Sequence, residues 1–361
     1  MAKPVPFDIL HLLPAREETR RNLEAACRRR WIPLICGPPF FEMPAGAFRK
    51  LRIARAQRPT SMAGLRRVLL VAEEPLYAAQ AGLRIRREMR AVGIDARLLV
   101  YLGWDAPHEN RRYGPLGSRI ADGVLRRHLL AADGILSVSQ WTSRRYRTWM
   151  GPTWDELAVH HQAHGIDARF LETPPRRPVA AHGPRRLVTV TNLNYQEKAD
   201  ALAAMAGSLH DLPGDWTWRI VGDGAHRATL EAATAGLGDR VTFTGALAHE
   251  EVIAELDAAD LFLYGSHLDA MPRAVQEAQA RGLPALVYGD SGATEPVAAT
   301  GAGAIAVEPD DVAAILHNWR DDPAAFQSVA ALAASIESSS HSWDAFIDGL
   351  GDAWQRLDDR R

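Results

Sequence analysis

The chain has 361 residues, 47% hydrophobic and 24% charged, which is enough for two domains of ordinary size and too balanced for a disordered protein. No apolar run approaches the ~20 residues of a membrane span, and the opening MAKPVPFDIL lacks a signal-peptide core, so a cytoplasmic protein is expected. The net charge of −2 conceals a split: residues 1–180 hold 30 Lys/Arg against 17 Asp/Glu, residues 181–361 hold 12 against 27, and the acidic second half argues against a nucleic-acid binder.

The basic first half suits an anionic acceptor or a peripheral contact at the inner membrane face, or simply a domain attracted to an acidic partner domain. Cys27 and Cys36 are too few for a disulfide framework and lack zinc-ligand company, so both read as reduced packing residues. Taken in order, Asp8 to Pro14 reads as a strand, Glu17 to Arg30 as a helix and Trp31 to Cys36 as a short strand. The segment AFRKLRIARAQRP, residues 47–59, is basic enough for a membrane surface but apolar-poor, which favours a solvated arm. The first regular βαβ unit is expected from Leu65: strand Arg67 to Glu73, amphipathic helix Tyr77 to Val92, strand Ala96 to Leu102. Residues 1–64 then form a variant extension. His128 falls inside a helix and reads as structural; Asp133 to Ser139 is the next strand. The proline-rich stretch Leu171 to Pro184 has the composition of an interdomain linker.

Beyond it, Leu187 to Val190, Trp218 to Val221 and Val241 to Gly245 read as strands, and Glu250 to Ala258 as a helix packing Val252, Ile253 and Leu256 on one face. The lone Gly222-Asp223-Gly224 is weak evidence of dinucleotide binding, because no full GxGxxG occurs. Next comes LFLYGSHLDAMPRAVQEAQARGLPALVYGDSGATEPV, residues 261–297, which reads as strand, loop, helix, strand and loop. Pro272 is expected as the first helical residue, with Gly282 and Pro284 closing the helix. Side chains on a helix lean toward its N-terminus, so Glu277 can point back at the loop that holds Asp269. Arg273 opposes the positive end of the helix dipole and fits better if an anion binds nearby. On spacing alone two readings stay open. The carboxylates flank one pocket, or Asp269 caps the helix while Glu277 is solvated and Arg273 pairs with either.

The Asp269-x7-Glu277 spacing with the closing GATEPV, preceded by Lys198, the VGDG strand and VTFTG, resembles the Glu-x7-Glu region of retaining glycosyltransferases with the GT-B fold, the group 1 or family 4-like enzymes. The resemblance covers about residues 65–361 and is strong between 187 and 297. It implies an α/β protein of two Rossmann-like doubly wound domains facing a cleft: residues 1–175 on the acceptor side, 185–340 binding the nucleotide sugar, and 341–361 a helix crossing back to the first domain. It implies that Asp269, one methylene shorter than the usual Glu, contacts the donor sugar. The loop Ala270, Met271, Pro272 and Arg273 offers its backbone to the diphosphate, and Glu277 holds the ribose. Lys198 neutralises the diphosphate, Asn192 stands where the pattern has arginine, and Leu247 lies where the nucleobase meets backbone. His108, about thirty residues before Ser139, matches the spacing of a histidine that touches the donor sugar.

The function implied is transfer of a sugar from a nucleoside diphosphate donor, such as a UDP- or GDP-sugar, to an unidentified sugar, lipid-linked or small-molecule acceptor, with no metal or other cofactor. Lys198, Asp269 and His108 are the residues expected to carry catalysis, by a front-face route in which the leaving phosphate helps deprotonate the incoming hydroxyl. On this reading Lys198→Ala slows turnover and leaves folding intact. The substitutions at Asn192 and Asp269 keep open a catalytically weakened nucleotide-sugar-binding subunit, and a sugar-nucleotide epimerase is the other alternative.

Overall fold

The computed structural model describes residues 5–13, 17–30, 34–36, 66–72, 76–105, 107, 110–172 and 183–359. The chain forms two compact units, one of residues 1–165 with 343–361 and one of residues 166–342.

In the first unit, β1 (Ile9–Leu13), β2 (Leu34–Cys36), β3 (Arg67–Ala72), β4 (Asp95–Leu102), β5 (Gly134–Ser137) and β6 (Val159–His161) form one parallel sheet in the order β2-β1-β3-β4-β5-β6. Leu10 is in register with Leu34 on one side and Leu69 on the other, so the stretch expected as an extension supplies two strands of the sheet. Both central strands are nearly continuous apolar runs, buried from Val68 to Ala72 and from Ala96 to Leu102, as a parallel sheet covered on both faces requires. Helices Tyr77–Arg90, Gly114–Ala131 and Gln140–Met150 belong to this unit. His128 is buried on the second, and Ser139 caps the third by accepting from the Thr142 N–H at 3.0 Å. Cys27 is a buried free thiol that burial pushes up to about 12, an inert packing residue. The basic segment 47–59 and His108 lie outside the described residues.

The last helix, Trp343–Asp358, rejoins this unit and buries Trp343, Phe346, Ile347, Leu350, Trp354 and Leu357, one face at helical spacing. Arg97 on β4 fastens it. Its guanidinium lies 4.1 Å from the Trp354 ring centroid, donates to the Trp354 carbonyl at 3.1 Å and pairs with Asp95 and Asp358.

The second unit contains β7 (Arg186–Val190), β8 (Thr217–Val221), β9 (Val241–Gly245), β10 (Leu261–Gly265), β11 (Ala285–Tyr288) and β12 (Gly303–Ala306), again parallel, in the order β12-β11-β10-β7-β8-β9. Counted within the unit this is the doubly wound 3-2-1-4-5-6 order. The strand order reverses between β7 and β10, which pair through Leu261 with Leu187 and Phe262 with Val188. Ligands of such sheets bind at the carboxyl ends of the strands on either side of that reversal. A buried polar chain ties the centre together: the Trp218 indole donates to the Thr189 hydroxyl at 2.9 Å, which donates to the Leu263 carbonyl at 2.7 Å. The Gly222-Asp223-Gly224 turn packs backbone to backbone against the segment after β7. A Cβ on Gly222 (φ 127°) would lie 1.8 Å from the Thr191 carbonyl oxygen, so the glycine lets this turn press on the segment that follows β7.

Candidate functional site

Lys198 sits in the first turn of helix Gln196–Ser208, which follows β7. A side chain there leans toward the helix N-terminus and so toward the carboxyl end of the sheet. Lys198 is only 7% exposed, and its ammonium lies 3.0 Å from Asp269 Oδ1 and 5.6 Å from the Tyr195 ring centroid. This is an ion pair between a buried lysine and a half-buried aspartate, edged by a cation–π contact, not a solvated helix-start lysine. Gly265, the last residue of β10, permits the approach. A Cβ there would stand 2.9 Å from Met205 Sδ and 3.1 Å from the Ala201 carbonyl carbon of the lysine's helix.

The loop carrying Asp269 is fixed on several sides. The Ser266 hydroxyl accepts from the N–H groups of Leu268 and Asp269, both at 3.1 Å, and the Asp269 carbonyl accepts from the Gly292 N–H at 2.7 Å. The Tyr264 hydroxyl donates to Asp269 Oδ2 at 2.7 Å. Tyr264 is buried on β10, and burial, then the neighbouring Asp269 carboxylate, pushes its phenol well above the usual tyrosine value, so it stays a protonated donor. Both oxygens of Asp269 therefore have partners, a cation on one and a phenol on the other.

The remaining expected residues divide. Glu277 is half-buried one helical turn into Arg273–Ala280, close enough that its charge also bears on the Tyr264 phenol, so it belongs to the same cluster. Pro272 is corrected from first helical residue to N-cap. Its φ −71° and ψ 126° are extended, and the helix begins at Arg273, which stands at the positive end as expected. Ala270 is buried and Met271 half-buried, and among the described residues no acceptor takes either N–H. Asn192 is exposed just past β7, and Leu247 is half-buried against the cluster of Val252, Leu256 and Phe262. His108 is not among the described residues.

Sequence reasoning missed Tyr264 and Ser266, because an apolar run ending in tyrosine reads as core strand and a serine after it as loop. The available signal was a phenol five residues before an acid, since a buried tyrosine hydroxyl needs an acceptor. The glycine of GATEPV has a steric reason. A Cβ on Gly292 would fall 1.6 Å from the Ala270 carbonyl oxygen, so only glycine lets that segment close on the loop.

A family model described as glycosyl transferases group 1 matches residues 173–328, the stretch that holds all of this geometry. The chain is 30% identical over 218 residues to a glycogen synthase of Mycobacterium tuberculosis, covering 59% of this chain and about half, 51%, of that relative's length. Over 363 residues it is 26% identical to a GDP-mannose-dependent alpha-mannosyltransferase of the same species, covering 96% of this chain and 87% of the relative. Among solved structures, Anabaena HepE in complex with UDP and glucose is similar with a TM-score of 0.65 at 17% identity, covering 97% of this chain and 99% of that one. The fold is α/β of the GT-B class.

Proposed function

We propose that the chain is a retaining glycosyltransferase that takes a sugar from a nucleoside diphosphate donor bound in its second unit and passes it to a hydroxyl acceptor. The observation that carries this reading is the meeting of Lys198 and Asp269, from two different βα segments, at the carboxyl ends of the strands where the sheet order reverses. Transfer leaves negative charge on the departing diphosphate. The ammonium of Lys198, the N–H groups of Ala270 and Met271 and the positive end of helix Arg273–Ala280 are the groups that would stabilise it. Glu277 would accept from the ribose, and the backbone at Ala246 and Leu247 would meet the base. Asn192 contributes a hydrogen bond where a second cation would contribute charge. The leaving phosphate would take the proton of the acceptor hydroxyl, so no protein nucleophile enters. The similar proteins include a GDP-mannose-dependent enzyme and one solved in complex with UDP and glucose, so both bases belong in the test.

A thermal-shift screen against UDP- and GDP-sugars tests the donor. A donor at about one hundred times its Kd should stabilise the fold by about 2.7 kcal/mol, and a panel with no stabilising donor would sink the reading. With the donor found, Lys198→Ala should slow transfer by about 10²–10³-fold, and turnover at the wild-type rate would remove the lysine from the mechanism. We propose that the diphosphate charge is balanced by protein groups rather than a metal, so EDTA should leave turnover unchanged; activity restored only by added divalent ion would contradict this.

A further inference from the structure

Asp269 differs from a carboxylate waiting for a sugar. Oδ1 is 3.0 Å from the Lys198 ammonium, Oδ2 accepts from the Tyr264 hydroxyl at 2.7 Å, and its backbone is held by Ser266 and Gly292. The loop cannot easily carry the carboxylate away, because the Gly292 segment is packed against Ala270 so closely that even a Cβ has no room. Lys198 is buried with this partner, so the cation is already neutralised before any ligand arrives.

Building on the nucleotide-sugar reading, we propose that Asp269, fixed by Tyr264, is an internal counter-ion that competes with the diphosphate for Lys198 and so weakens the hold on the nucleoside diphosphate product. An ammonium can hold a carboxylate and a phosphate oxygen together, but the two anions then stand a few ångströms apart. Unlike partial charges on backbone donors, a full carboxylate repels the diphosphate in every step that binds it. The half-buried Glu277 carboxylate adds to the same field. The repulsion bears on diphosphate and not on the nucleoside, which lacks the charge. Tyr264 is a positioning residue here: its hydroxyl holds the carboxylate on the lysine rather than touching ligand.

The test is calorimetric titration of the full chain with UDP and GDP, and with uridine and guanosine, in wild type and Asp269→Asn. One like charge removed at this range should tighten the preferred nucleoside diphosphate about tenfold and leave the matching nucleoside within about twofold. Unchanged or weaker diphosphate binding overturns the proposal, and so does an equal tightening of nucleoside, which would signify packing rather than charge. If wild type binds neither diphosphate, the nucleotide-sugar reading itself fails. Asp269→Asn leaves a buried lysine unpaired and its folding is checked by melting. Should it not fold, the same titrations are run on Tyr264→Phe, which keeps Lys198 but frees the carboxylate from its phenol and should tighten the diphosphate more than the nucleoside; no such difference overturns the proposal.

Discussion

At Lys198 the side chain that would meet the diphosphate also serves the fold, so its removal should act twice. Taking one partner from a buried ion pair costs about 3–5 kcal/mol, less where the survivor reaches water as Asp269 partly does. Lys198→Ala is therefore expected to melt below wild type, which amends the sequence-based expectation of intact folding, and its turnover should be compared well below that lower melting temperature. Gly292 couples fold and site through sterics instead of charge. Adding a methyl group puts Cβ 1.6 Å from the Ala270 carbonyl oxygen and 2.4 Å from its carbon, so the loop that carries Asp269 must shift. Because misplacements of about 1 Å can cost about 10²-fold, Gly292→Ala should weaken donor binding or transfer by tenfold or more, and because the clash is with buried backbone it should also lower the melting temperature. Donor titration with a melting curve on the same sample checks both, and unaltered donor affinity would show that the loop tolerates the shift.

Strands β7 and β10 are tied at both ends, once by chemistry that can meet a ligand and once by chemistry that only holds the sheet. At the amino end Asp260 accepts from the N–H groups of Arg185 at 3.1 Å and Arg186 at 2.9 Å, and from the Arg186 guanidinium at 2.8 Å. Burial acts to raise the Asp260 pKa, but the Arg186 side chain and the two backbone donors outweigh it and hold the carboxyl below the usual aspartate value. The sign follows. A carboxyl lowered in the folded state binds more protons when unfolded, so it stabilises the fold above the unfolded pKa of about 3.9 and loses that contribution as pH falls through the folded value. Asp260→Asn should thus melt below wild type at pH 6, with the gap closing as pH drops below about 4. A gap that stayed constant on acidification would assign the effect to geometry rather than charge.

For the whole molecule, the return of the C-terminal helix to the first unit makes the ends of the chain one structural body with β4. Trp354 is central to it, fully buried against Arg97 and tilted on Phe7 at 6.1 Å between centroids. Trp354→Ala should cost about 3–5 kcal/mol by chemical denaturation, the range for deleting a large buried aromatic side chain. A loss under 1 kcal/mol would mean that the helix is dispensable to the first unit.

The amino-acid sequence by itself determined the local features. Apolar runs marked β7, β8 and β9 to within a residue or two, and the helix after Pro272 was announced by its punctuation, with the Asp269-to-Glu277 spacing set across its start. These are signals of neighbouring residues, and hydrophobic periodicity reports them directly. Only the tertiary structure decided that β1 and β2 enter the first sheet, that β7 lies beside β10, and that Lys198 therefore meets Asp269. It also turned Tyr264 from core residue to the acid's hydrogen-bond donor. The reason is that sheet order is set by non-local pairing and by helices covering both faces, and no window of sequence contains both partners of such a contact.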